Sequence, residues 1–399
     1  TGIPYNEAIS IRKDGPLDLS ALRAAFNGTV RRHEAWRTRF DVSAGKPVQA
    51  VQPAPRYELP LIDLSNLTNA EAERQAVRLV AQVSRVPYDL RRGALLRPRL
   101  FRFPEDHHRL YLAMHHVIFD GVSVTRVVLP ELIALYDAFL AGRQPSLPDA
   151  AIRYADYARW EQRWIAEPRV AARMEYWRGR LAALPPNTLP FDHPRPDAPR
   201  FRGGVVPLSV AASTVHSLRR IGQQCSATMF QVLAAIWALI LSRYSGQDDV
   251  VFSVAADMRQ RPELESLVGY CLTPLPIRID TGGDPTFGEL VVQVRNELLD
   301  GLDHLFPFER IVRELRADTT SSANPVYQAM LVLEPNTETI DAAWSLHQID
   351  SVMCDAAGVC KLDLELQLDE RSDGHLDGQL IFDRDLFEPA TAARLARHW

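Results

Sequence analysis

Between Leu184 and Arg200 the chain carries Pro185, Pro186, Pro190, Pro194, Pro196 and Pro199. Each proline locks its own φ, removes a backbone donor and biases the residue before it away from helix. So many in one short segment exclude helix and central strand there. The segment reads as an inter-domain linker, and it cuts the 399 residues into halves of ordinary domain size. The expectation is an N-terminal lobe over 1–183, a linker over 184–200 and a C-terminal lobe over 201–399.

Both halves alternate strand with helix. Leu19, Leu22, Phe26 and Val30 recur at helical spacing behind Asp18, a residue suited to cap a helix. A second helix is predicted from about Asn69 to Arg85, and strands over Arg99 to Phe103 and Leu110 to His116. After Gly121, Val122 to Leu140 reads as a long helix interrupted at Pro130 and closed by Gly142. Tyr154 to Leu181 reads as helix, rich in Trp and Arg. Past the linker, strands are predicted over Val205 to Val210, Val250 to Ala255, Leu362 to Leu368 and Leu376 to Phe382. Helices are predicted over Ser226 to Arg243 and Phe287 to His304. The pattern is that of two α/β lobes.

Apolar residues are 46% and charged residues 24%, which excludes collagen-like, disordered and low-complexity chains. Lys+Arg is 45 against Asp+Glu 50, a net charge of −5, so the basic excess of a nucleic-acid binder is absent. The longest apolar run, Val232 to Leu241, is half of what a membrane span needs and reads as a core helix. Thr1 to Ser10 lacks the basic and apolar regions of a signal peptide. The four cysteines form no Cys-x-x-Cys pair and are too few for a disulfide scaffold, so a cytoplasmic location is expected. Both ends are abrupt, as in a piece of something longer.

The segment with chemical content is Met114-His115-His116-Val117-Ile118-Phe119-Asp120-Gly121. On a strand, Leu110, Leu112, Met114 and His116 share one face, and Tyr111, Ala113 and His115 the other. The two histidines then point opposite ways: one faces a cavity and its neighbour braces the strand end. Gly121 leaves room for a substrate near backbone amides, and an N–H at the start of the next helix suits a developing oxyanion. Asp120 suits a structural bond to an arginine. By itself the histidine pair is compatible with a purely structural strand end. A metal reading of His115, His116 and Asp120 lacks a further ligand at typical spacing. A second doublet, His107-His108, follows Pro104-Glu105-Asp106 without an Asp-Gly after it, and is expected on the surface.

His-His-x-x-x-Asp-Gly at a strand end resembles the active-site motif of the chloramphenicol acetyltransferase-like acyltransferases, and within them the condensation domain of nonribosomal peptide synthetases. Other segments agree in order over most of the chain. Arg32 to Phe40 is similar to the family's Arg-His-Glu-x-Leu-Arg-Thr-x-Phe, with Trp36 for leucine. Tyr154 to Trp160 resembles Tyr-x-Asp-Tyr-Ala-x-Trp. Val268 to Arg278 resembles Ile-Gly-x-Phe-Val-Asn-Thr-x-x-x-Arg, Phe306 to Glu309 resembles Tyr-Pro-Phe-Glu, and Asn324 to Val326 resembles Asn-Pro-Leu. The family's first motif is absent. Thr273-Pro274 stands for Asn-Thr, and Asp303-His304-Leu305 for His-Gln-Asp.

The resemblance implies an α/β fold of two chloramphenicol acetyltransferase-like lobes, mixed sheets with helices, set as a V-shaped pseudo-dimer around a central tunnel. It implies an acyltransferase that forms a peptide bond. A donor acyl or peptidyl thioester and an acceptor aminoacyl thioester would arrive on the phosphopantetheine arms of two carrier proteins, neighbouring domains of a modular synthetase. No cofactor, metal, nucleic acid or membrane is implied. His116 would accept the amine's proton or hold the amine in place. His115 would brace the motif, and Gly121 would admit the substrate. Asp120 would be structural, with Arg37 or Arg278 as its ion-pair partner. A heterocyclisation domain would carry Asp-x-x-x-x-Asp instead of the histidines, and an epimerisation domain fits Val268 to Arg278 less well. Two alternatives stay open: a free-standing acyltransferase making an ester or amide with a small-molecule acceptor, and a catalytically inactive condensation-like domain that recruits partners.

Overall fold

Asp18 starts the first helix as its position predicts: its carboxylate accepts from the Ala21 N–H at 2.8 Å, and Leu19–Arg32 follows. In the computed structural model described here, residues 3–149, 152–184, 189–315, 324–334, 343–347, 351–371 and 373–399 are described. Pro185 and Pro186 of the linker lie outside them.

The described residues gather into two compact units that differ from the linear halves. The first comprises Thr1–Arg163, Arg259–Cys271 and Thr337–Ala357; the second comprises Trp164–Met258, Leu272–Asn336 and Gly358–Trp399. The lobes expected over 1–183 and 201–399 are continuous stretches, whereas each of these units draws on three separate ones. Trp177 is fully buried, and its indole donates to the His304 carbonyl at 2.8 Å. Arg173 donates to the Leu305 carbonyl at 2.7 Å. Both bonds hold residues after 163 within the second unit.

In the first unit the sheet order is Trp344–His347, Asn6–Asp14, His107–His115, Leu96–Phe103, Leu61–Asp63. All pairs are antiparallel except the last. Alternation along His107–His115 feeds two cores. Leu110, Leu112 and Met114 pack with Leu22, Phe26 and Val30 of the first helix. Tyr111 packs with Ala72, Ala76 and Val80 of the helix Asn69–Ser84. That helix opens with a capping box between Thr68 and Glu71.

Three expectations need correction. His107 and His108 are not surface residues: Pro104–Asp106 is a tight three-residue turn with Glu105 and Asp106 at positive φ, so the doublet already lies in the strand and is buried. The His107 ring stacks on Phe103 at 4.8 Å, and burial pushes both imidazoles below the usual histidine range. The helix after Gly121 is interrupted before Pro130, not at it. Val124–Val128 forms a π turn, and the cap N–H of Leu129 bonds to the Val124 carbonyl five residues back. Proline has no N–H for the carbonyl four residues earlier and crowds it, and a π turn opens the ladder there. Leu129–Leu140 then continues. Tyr154 to Leu181 is two helices, Tyr154–Ile165 and Ala171–Arg180, parted at Pro168.

The second unit holds a six-stranded mixed sheet in the order Gly203–Val210, Leu376–Asp383, Leu364–Glu370, Ala329–Glu334, Asp249–Asp257, Leu272–Asp280. The apolar run inside Met229–Ser245 is core, with Val232, Leu233, Trp237 and Leu241 buried. No single described helix is long and apolar enough to cross a membrane.

Candidate active site

The strand His107–His115 ends one residue before the key histidine, and His116–Ile118 turns as a 3₁₀ helix. The turn, more than strand alternation, separates the two rings. His115 stays buried, with ring contacts to Tyr5 and, T-shaped, to Tyr88, both at 6.1 Å. Its Nδ1 accepts from the Val117 N–H at 3.2 Å, so it caps the turn that aims its neighbour.

His116 is held on three sides. Its Nδ1 is 2.9 Å from the Phe119 carbonyl. A carbonyl only accepts, so Nδ1 carries the proton, and Nε2 is the nitrogen left to take or give one. The ring stacks on Phe119 at 5.0 Å and lies T-shaped to Tyr270 at 4.9 Å. Nε2 lies 3.4 Å from Glu7 Oε1, and the His116 side chain keeps 16% exposure, enough for a substrate atom to reach it.

Asp120 never points toward solvent: it is 0% exposed. Its Oδ1 accepts from the Ser123 N–H at 2.8 Å, and the Ser123 hydroxyl accepts from the Asp120 N–H at 3.2 Å, closing a capping box. Gly121 opens the helical run. It is not one of the left-handed glycines, so what it contributes is the missing side chain.

Sequence reasoning gave Asp120 the wrong arginine. Its partner is Arg259, whose Nη1 lies 2.9 Å from Oδ2 and whose Nη2 lies 3.1 Å from Oδ1. Arg259 also donates to the carbonyls of Leu267 and Gly269. The Cys271 N–H reaches Asp120 Oδ2 at 2.8 Å. This network ties residues 116–123 to residues 259–271 within the first unit. Arg37 instead donates to the Gln52 carbonyl at 2.7 Å and faces Glu34 at 3.6 Å. Arg278, in the second unit, pairs with Asp249 at 2.6 Å and donates to the Ala182 carbonyl at 2.8 Å. The hydrogen bonds it donates to Asp249 raise the Arg278 guanidinium above its ordinary range.

Sequence reasoning also passed over Glu7 and Tyr270. Tyr270 is positioned by Tyr154, whose hydroxyl donates to its carbonyl at 2.6 Å. Gly269 sits against the same Tyr154 ring, where a β-carbon would stand 2.2 Å from Cδ2. Of the departures from the family pattern, the Thr273 hydroxyl accepts from the Phe308 N–H at 3.0 Å, and the His304 ring stacks on Tyr176 at 4.0 Å. Among the described residues, no group of three or more His, Cys, Asp or Glu is arranged to hold a metal ion.

Comparison with known proteins gives a consistent result. Chondramide synthase of Chondromyces crocatus is 35% identical over 398 residues, 99% of this chain and 10% of that protein. The chain thus spans about a tenth of this relative's length. The X-domain from teicoplanin biosynthesis is 30% identical, with a TM-score of 0.83 over 98% of this chain and 88% of that one. The same X-domain in complex with OxyB is 31% identical, with a TM-score of 0.80 over 98% of this chain and 86% of that one. The first condensation domain of the calcium-dependent antibiotic synthetase shares the fold, with a TM-score of 0.84 at 24% identity, over 100% of this chain and 91% of that one. The Condensation domain family model matches residues 2–399. With the histidine pair, the Asp120 anchor and the mixed α/β sheets all in place, the chain belongs to the condensation domain family.

Proposed function

We propose that this chain forms an amide bond between a donor acyl or peptidyl thioester and an acceptor aminoacyl thioester, each carried on the phosphopantetheine of a carrier protein domain. The observation that carries this reading is the fixed tautomer of His116. With Nδ1 bonded to the Phe119 carbonyl, Nε2 is the open nitrogen. A positioned base of this kind contributes about 10²–10⁴-fold. Alignment of amine and thioester adds to that, since a near-attack geometry removes about 7–11 kcal/mol of barrier. His115 and Asp120 act through His116 and Gly121: one caps the turn, the other anchors it. The phosphopantetheine belongs to the carriers, so the domain itself needs no bound cofactor.

A second reading is a recruiting domain without turnover. It is favoured by the likeness to an X-domain whose structure was solved in complex with a partner, OxyB. Against it stands the ordered His116 site, which recruitment alone does not need. The test is a mass-spectrometric condensation assay with a loaded donor carrier and a loaded acceptor carrier, wild type beside His116→Ala. Product on the acceptor carrier that disappears in the variant supports amide synthesis. Transfer only to free amines or alcohols would move the reading to a free-standing acyltransferase. Partner binding without any turnover would leave the recruiting domain.

A further inference from the structure

Glu7 lies on the first strand, opposite Met114. Alternation puts it on the same face as Ile9 and Ile11, both part of the larger core. A carboxylate at the rim of an apolar face is costly unless something meets it. Here the side chain keeps 31% exposure to solvent, and its Oε1 stands 3.4 Å from His116 Nε2. The strand cannot slide to relieve this. The Asn6 amide donates to the Ser84 carbonyl at 2.7 Å and to the Val86 carbonyl at 3.1 Å, one residue away.

The chemistry of this pair is selective. The His116 Nδ1 proton is engaged by the Phe119 carbonyl, so neutral His116 presents only a lone pair at Nε2. Ionised Glu7 also presents only lone pairs. Two acceptors and one negative charge therefore converge on the same place. A hydroxyl has a single proton and satisfies one of them. A protonated primary amine has three N–H groups and a positive charge, and satisfies both.

We propose that Glu7, with His116, binds the acceptor nucleophile as a protonated primary amine and thereby selects amines over alcohols. This rests on the reading that His116 handles the acceptor. The ammonium gives one proton to His116 Nε2, and the freed lone pair attacks the thioester carbonyl. The C–N bond forms and the C–S bond breaks. The departing thiolate takes a second proton from the attacking nitrogen, and His116 returns its proton to water. Glu7 holds the charge and is not consumed.

The experiment uses wild type, Glu7→Gln, Glu7→Asp and His116→Ala, with folding checked by thermal melting. The probes are an aminoacyl acceptor and the matching 2-hydroxyacyl acceptor on the same carrier. The expected result is at least a tenfold rise in KM for the aminoacyl acceptor in Glu7→Gln, with donor KM within twofold of wild type and partial recovery in Glu7→Asp. Calorimetry with non-hydrolysable pantetheine amides of the two acceptors supplies a readout without turnover. Wild type should prefer the amine at least tenfold, and Glu7→Gln should lose that preference. An unchanged acceptor KM and an unchanged preference, with His116→Ala inactive, would overturn the role of Glu7 and leave the proposed function intact. Absence of any amide from wild type would overturn both.

Discussion

Asp120 and Arg259 form a buried, two-point ion pair, 139 residues apart in sequence, with side chains 0% and 1% exposed. Each also has backbone partners: Asp120 accepts from Ser123 and Cys271, and Arg259 donates to Leu267 and Gly269. Such a pair is worth little against a well-packed apolar substitute, but removing one member leaves a buried charge alone, at a cost of about 3–5 kcal/mol. Arg259→Met should therefore destabilise the chain by about that amount in urea unfolding. Asp120→Asn combined with Arg259→Met should cost less than the sum of the two single changes, because neither charge is then stranded. Strict additivity would contradict the account.

Gly269 is required twice over: its φ of +153° is one that other residues rarely adopt, and the Tyr154 ring lies against it. An alanine there brings its β-carbon to 2.2 Å from the ring, so the ring must move and its hydrogen bond to the Tyr270 carbonyl is lost. Gly269→Ala should destabilise by about 1–3 kcal/mol, the usual range for overpacking. In a Tyr154→Ala background the clash is removed and the cost should fall, while the backbone strain at φ +153° keeps part of it. Thermal unfolding of the four proteins in the cycle measures this.

Glu131 makes part of the stability depend on pH. Burial pushes its carboxyl up, but the bonds from His33 and Arg32 outweigh burial and hold it down at about 2. His33 Nε2 lies 2.8 Å from Oε2, and Arg32 donates at 2.9 and 3.0 Å. The folded value is depressed, so this contribution is complete above the ordinary glutamate range and is lost as pH falls toward about 2. At 17% side-chain exposure it is on the order of 2–3 kcal/mol. The stability difference between wild type and Glu131→Gln in urea should be largest at pH 6 and shrink steadily below pH 4.5. A difference independent of pH would contradict it.

The chain's local grammar was readable. Asp18 and the period of Leu22, Phe26 and Val30 announce the first helix, and the motif after Met114 announces a strand end with a turn behind it. Long-range pairing was not. Nothing local marks Arg259 out over Arg37 or Arg278 as the partner, and only the fold brings one of them against Asp120. The burial of His107 and His108 hung on the length of one turn. Read as a loop, Pro104–Asp106 leaves them outside; as a tight three-residue turn, it starts the strand at once. Glu7 gave no signal because its meaning lies in the register of the first strand against the motif strand.

The central claim is that His116 carries amide formation. The most direct measurement is the mass of the acceptor carrier after incubation with a loaded donor carrier and either wild type or His116→Ala. The account predicts that the acceptor gains the donor acyl group with wild type, with a rate at least about 10²-fold lower in the variant. Equal product with both proteins would contradict it.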